Sequence, residues 1–267
     1  MDEHEDKGLN ADGTIAREGS LDLVAPVFAP VVEAARERIA RTYGDALHGT
    51  YLYGSVPRGT ARPGRSDLDL MLVFHEPPTE GHRAAARRIE AEIDAAFEPV
   101  DGVGVLLEGA AAILGDPHDG GFFVSRLCTP LFGADLADRL PSYRPTSLLA
   151  RETNGDLYLF PERWRARAAD ADTEAAVRAL VRGSSRKTLR SAFTLVMPVW
   201  GGWTSDLTRS AEIVGRYHPE WAGPLRRTAE VALDPAADRG TLRMIVDDLA
   251  PRVADEYRRV HGEKAPR

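Results

Sequence analysis

A chain of 267 residues with 43% hydrophobic and 28% charged side chains has enough apolar material for one large domain or two ordinary ones, and too much for a mainly disordered chain. Its 34 Lys and Arg against 41 Asp and Glu leave a net charge of −7, which excludes coating nucleic acid through charge alone. Cys128 is the only cysteine, so an internal disulfide and a cysteine-cluster zinc site are excluded as well.

Residues 1–20 are polar, contain glycine and lack periodicity, and they read as a flexible lead. Their opening, Met1-Asp2-Glu3-His4-Glu5-Asp6, is acidic where a secretory signal is basic and then apolar. No stretch reaches the roughly 18 apolar residues of a membrane span, so a soluble cytoplasmic protein is expected. From Pro26 to Tyr43 the apolar residues Val27, Val31, Ala34 and Ile39 recur near one face of a helix. A strand follows over Ala46–Tyr53, then a loop with Pro57, Gly59, Pro63 and Gly64, and a second strand over Asp67–Phe74. Glu80–Phe97 reads as a helix, Val100–Leu107 as a third strand and Phe122–Phe132 as a fourth. Beyond residue 136 the strand pattern fades. Glu174–Val181, Ser185–Val199, Ser205–Tyr217, Leu225–Leu233 and Arg239–Val260 all carry helical patterns, punctuated by Gly201-Gly202, Pro219 and Pro235. The expected organisation is a lead over 1–20, an α/β domain over 21–140 and an all-α helical bundle over 141–267. Charge follows the same division: residues 1–135 hold 12 basic and 23 acidic side chains, and residues 136–267 hold 22 and 18.

The chemistry concentrates between Tyr51 and Leu70. Alternation on the second strand places Leu68, Leu70, Leu72 and Phe74 on one face, with Asp67, Asp69, Met71 and Val73 on the other. Two carboxylates side by side on a largely apolar strand repel each other and lose hydration when covered. A divalent cation such as Mg²⁺ relieves that conflict, since carboxylate oxygens are its natural ligands; a strand end protruding into water is the plainer alternative. Gly54-Ser55 closes the preceding strand, where a glycine lets backbone N–H groups approach a phosphate and the serine adds a donor. Pro57 suits the first turn of a short helix whose N-terminus attracts anions. A phosphate cradle beside a metal-binding pair forms the two halves of a nucleoside-triphosphate site.

Gly54-Ser55, a loop containing Arg58-Gly59, and then Ser66-Asp67-x-Asp69-Leu70 resemble the signature of the DNA polymerase β-type nucleotidyltransferase superfamily. The likeness covers roughly residues 25–136. It is nearest to the small bacterial members, the aminoglycoside nucleotidyltransferases and the minimal nucleotidyltransferases of toxin–antitoxin pairs. Gly54 to Asp67 is 13 positions, one more than the family's commonest spacing, and the extra residue falls in the Arg62–Arg65 loop. The resemblance implies a small mixed sheet with flanking helices, two Mg²⁺ ions, and transfer of NMP from an NTP, with ATP the expected donor. Gly54 and Ser55 match its phosphate-binding pair, and Asp67 and Asp69 its metal-binding carboxylates. Arg58, Arg65 and Ser66 are further nucleotide-binding candidates.

The family pattern also asks for a third carboxylate on the next strand. Asp101, at the start of the strand that follows the Glu80–Phe97 helix, is the expected ligand and base, with Glu98 and Glu108 as rivals; Gly102 and Gly104 make that strand atypical and open to a bulge. In the helical half, Arg182, Arg186 and Arg190 lie at i, i+4 and i+8 with Lys187 beside them. A solvated basic face explains the stripe; a clamp on the β- and γ-phosphates, with Lys187 foremost, is the functional reading. The expected acceptor is a small molecule, a polycationic aminoglycoside-type antibiotic drawn to the acidic front half. The competing expectations are a tRNA or protein acceptor, and a nucleotide-binding module without catalysis.

Overall fold

The computed structural model describes residues 6–265. The chain divides into two compact units. One is Ala16–Ser142; the other joins residues 6–15 to residues 143–265.

The first unit is built on a four-stranded mixed sheet in the order β3-β2-β1-β4, from β1 (Leu47–Tyr53), β2 (Leu68–Phe74), β3 (Val103–Gly109) and β4 (Cys128–Gly133). β1 runs antiparallel to β2 and β4, whereas β2 and β3 are parallel and joined by helix α2 (Glu80–Ala96). Thr79 starts α2 by accepting from the His82 N–H, while the His82 ring accepts from the Thr79 N–H in return. The alternation along β2 is realised. Leu68, Leu70, Leu72 and Phe74 pack with Ile89 and Ile93 of α2 and with Val31, Ala35 and Ile39 of helix α1 (Ala29–Tyr43). Met71 and Val73 meet Ala110 and Ile113 of helix α3 (Ala110–Gly115), together with Tyr51 and Cys128, on the opposite face.

Three expectations change here. The apolar run from Phe122 begins as helix, Gly120–Phe122 continuing through Phe123–Leu127, and becomes strand only at Cys128. Phe122 and Val124 are buried all the same, and burial alone does not distinguish a helical from an extended run. Pro57 opens no helix: Gly59 N–H donates to the Val56 carbonyl and Thr60 N–H to Ser55, closing tight turns. The lead is fastened along its described part, residues 6–20. Arg17 donates to the Ser125 carbonyl and pairs with both oxygens of Asp135, and Ser20 N–H donates to the Pro57 carbonyl.

In the second unit the longest helix is Glu174–Trp200, capped by Thr173 and ended by Gly201 at φ +72°. The sequence suggests two helices here. Burial of Val181, Ser184 and Ser185 carries one helix through Gly183, against a cost of roughly 1 kcal/mol for a mid-helix glycine. Helices Ser147–Asn154 and Phe160–Asp170 precede it, in a stretch without a clear pattern. Residues 6–15 belong with these helices. Ile15 is fully buried and its N–H donates to the Tyr143 carbonyl, while Trp203 N–H donates to the Lys7 carbonyl. No helix among the described residues is long and apolar enough to cross a membrane.

Candidate active site

The turn after β1 is anchored from below. Val56 is buried in the core between the sheet and its helices, so the backbone of Gly54 and Ser55 is held at the top of β1. Gly54 has φ +80°, in the left-handed region that costs other residues roughly 1–2 kcal/mol. A β-carbon on it would lie 2.3 Å from Oδ2 of Asp69. The Asp69 carboxylate therefore sits directly against the glycine turn, and a side chain at position 54 would displace it. Tyr53, just before the turn, pairs with Asp69 on one side and Cys128 on the other.

β3 lies on the other side of the carboxylates. The β2–β3 register runs from Leu68↔Val103 to Phe74↔Gly109 without a slip, so Gly104 creates no bulge; Gly102 lies just before the strand. β-carbons built on Gly102 and Gly104 would lie 3.6 Å from Oδ1 of Asp67 and 3.6 Å from Oδ1 of Asp69. The positions that face the pair from this side, Gly104 in β3 and Gly102 just before it, are thus both glycines. Val103, Val105 and Leu107 pack into the helix-side core, while Asp101 lies in the bend just before β3 and is exposed. Its N–H donates to the Ser66 carbonyl, which ties the approach to β3 to the residue before Asp67. Among the described residues, no three His, Cys, Asp or Glu side chains group as a metal site.

The remaining candidates are placed as follows. Arg58 donates from Nε to the Gly54 carbonyl at 2.8 Å, and its Nη1 lies 3.5 Å from the Glu18 carboxylate, so it braces the turn. Glu18 lies in the presumed lead, and only its sequence distance from Arg58 hid the pairing. The Ser66 hydroxyl accepts from the Arg62 N–H at 2.9 Å, which closes the loop before β2; Arg65 is exposed on that loop. Burial, and to a smaller degree the Asp135 and Asp69 carboxylates, push the Cys128 thiol up, which marks it as a packed residue. Lys187 lies in the helical unit and reaches Asp156 at 2.6 Å and Asn154 at 3.2 Å. An open groove of about 450 Å³ between α1 and α2 is lined by mixed charges and bridged by an Arg38–Glu92 ion pair. It lies with the helices, on the face of the sheet away from the carboxylates, and has the character of a solvated helix seam.

Two hard carboxylates on one strand face, with a backbone cradle that a single β-carbon would fill, suit a Mg²⁺-type cation that takes its other ligands from phosphate oxygens and water. The family described as nucleotidyltransferase domain matches residues 33–104, from α1 through the glycine turn and both carboxylates into β3. Residues 33–104 are a nucleotidyltransferase domain of the DNA polymerase β type. Spectinomycin adenyltransferase AAD(9) from Enterococcus faecialis, solved with ATP and spectinomycin, resembles this chain at a TM-score of 0.54 and 15% identity. The likeness covers 86% of this chain and 98% of that one, so it takes in the helical unit beside the nucleotidyltransferase domain; at this identity it is a likeness of fold. A search of curated proteins finds no match.

Proposed function

We propose that the chain transfers a nucleotide, AMP from ATP, onto a hydroxyl of a small cationic acceptor of the aminocyclitol-antibiotic class and releases pyrophosphate. The seating of Asp69 against the Gly54 turn carries this reading, because phosphate held at the turn and a cation held by Asp69 would then lie within one contact of each other. Asp67 and Asp69 would hold the cation, and the N–H groups after Gly54 would hold the triphosphate, with Arg58 keeping the turn in shape. A divalent cation bound there supplies charge neutralisation at the α-phosphate and at the leaving pyrophosphate. Positioning and charge then account for the rest of the catalysis, as in phosphoryl transfer generally. The acceptor class rests on the acidic front half of the sequence and on the ligands of the structural neighbour. The test incubates the protein with α-³²P-ATP, Mg²⁺ and a panel containing spectinomycin, streptomycin and bulk tRNA. Label on an antibiotic supports the proposal. Label on tRNA alone replaces the acceptor class, and binding of ATP with no product leaves a non-catalytic module. Asp67→Asn and Asp69→Asn are each expected to lower turnover by about 1000-fold or more, since metal charge stabilisation is worth several kcal/mol.

A further inference from the structure

β3 carries a second feature beside the carboxylates. It is the edge strand of the sheet, and its face toward the pair presents Gly102, Gly104, Leu106 and Glu108 in succession. On β2, the same face is roofed: Met71 is 6% exposed and Val73 is fully buried under α3. On β3 it is open, with Leu106 47% exposed and Glu108 exposed, taking one hydrogen bond from the Gly109 N–H.

Gly104 has no reason in the fold to be glycine. Its φ is not positive, and a β-carbon there would meet only Asp69 Oδ1, at an ordinary 3.6 Å. A strand-interior glycine weakens its strand and often marks a place where another molecule comes close to the backbone. Resting on the nucleotidyl-transfer reading above, we propose that the bare backbone at Gly104 is the floor of the acceptor subsite. Leu106 and Glu108 extend that floor along the strand. The occupant is a compact hydroxylated ring that lies flat on Gly104 with a hydroxyl toward Asp67 and Asp69. Its apolar face covers Leu106, and an ammonium group on the side away from the carboxylates feels the charge of Glu108, roughly 13 Å along the strand from Gly104 at the usual rise.

The experiment compares wild type with Gly104→Ala, Gly104→Val and Glu108→Gln. Spectinomycin binding is followed by calorimetry in the presence of a non-hydrolysable ATP analogue and Mg²⁺, and steady-state KM is measured for both substrates. Filling the floor is expected to raise the spectinomycin Kd and KM by about 10-fold in Gly104→Val and less in Gly104→Ala, with the ATP KM and Mn²⁺ affinity unmoved. Both variants should melt no lower than wild type, because alanine and valine suit a strand better than glycine. Glu108→Gln should weaken spectinomycin by about 2- to 5-fold at low salt, an effect that fades as salt rises. Altered ATP or Mn²⁺ binding with an unmoved spectinomycin Kd would assign Gly104 to the metal and phosphate side and overturn the subsite. A wild-type protein that modifies spectinomycin, with Gly104→Val equal to it in every constant, removes the subsite and leaves the function standing. If wild type binds ATP yet neither binds nor modifies spectinomycin or streptomycin, the acceptor class and the subsite fall together.

Discussion

Gly54 and Gly104 flank the same carboxylate and differ in what holds them as glycines. At Gly54 the backbone itself forbids a side chain, through a φ of +80° and through Asp69, which an added β-carbon would meet at 2.3 Å. Gly54→Ala is expected to lose roughly 1–2 kcal/mol of stability from the left-handed backbone, plus the cost of pushing Asp69 aside. Equilibrium unfolding of Gly54→Ala, Asp69→Ala and the double variant separates the two costs. The double variant should be less damaged than the sum of the singles, because the clash disappears with the carboxylate. At Lys187 the question is which partner the ammonium serves. A phosphate role predicts roughly 10- to 150-fold weaker binding of the ATP analogue in Lys187→Ala, the worth of a charged hydrogen bond. An unchanged Kd, together with equal loss of stability in Lys187→Ala and Asp156→Asn, would confine Lys187 to its ion pair with Asp156.

At the scale of elements, the segment Arg17–Ser20 acts as a strap across the nucleotidyltransferase unit, tied to Ser125, Asp135 and the Pro57 carbonyl of the turn after β1. Burial pushes the Asp135 carboxyl up, but the Arg17 guanidinium and the Ala137 N–H outweigh it and hold the group below the usual carboxylate range. A carboxyl lowered by folding stabilises the protein fully above about pH 4 and loses that contribution as pH falls through its depressed value. Asp135→Asn should therefore cost about 2 kcal/mol at neutral pH and flatten the acid limb of the stability profile, as followed by urea unfolding between pH 2 and 7. The strap was illegible in the sequence because its partners lie far along the chain, over a hundred positions away for Arg17 with Ser125 and Asp135. The two faces of β2 were legible, since period-two alternation depends only on neighbours. The side that Asp101 presents was less legible. Aligning two strand starts does not decide which face each start presents, and the pairing Leu68↔Val103 puts Gly104 beside Asp69.

For the molecule as a whole, residues 6–15 lie in the helical unit, the chain then builds the nucleotidyltransferase unit and returns; Ile15 and Tyr143 stand hydrogen-bonded at the two crossings. The four tryptophans, Trp164, Trp200, Trp203 and Trp221, all lie in the helical unit and are all buried. Their fluorescence consequently reports that unit alone, whereas far-ultraviolet circular dichroism reports both. Ile15→Ala removes a fully buried side chain and should cost about 2–4 kcal/mol. The loss is expected in the tryptophan transition in urea, while the remaining dichroism transition stays in place. A shift confined to the non-tryptophan transition would contradict the membership of Ile15 in the helical unit.

The same crossing sets an order of events on the ribosome. Residues 16–142 can complete their sheet as soon as they emerge, but Lys7 must wait for Trp200, a separation of 193 positions. At about 5–20 residues per second that wait is roughly 10–40 s, during which Lys7 and its neighbours lack the end of the Glu174–Trp200 helix. The newborn chain thus carries a finished domain flanked by an unmatched, sticky thread. Slowing translation downstream of residue 143 should lengthen the period in which chaperones bind that thread, and speeding it should raise the soluble yield.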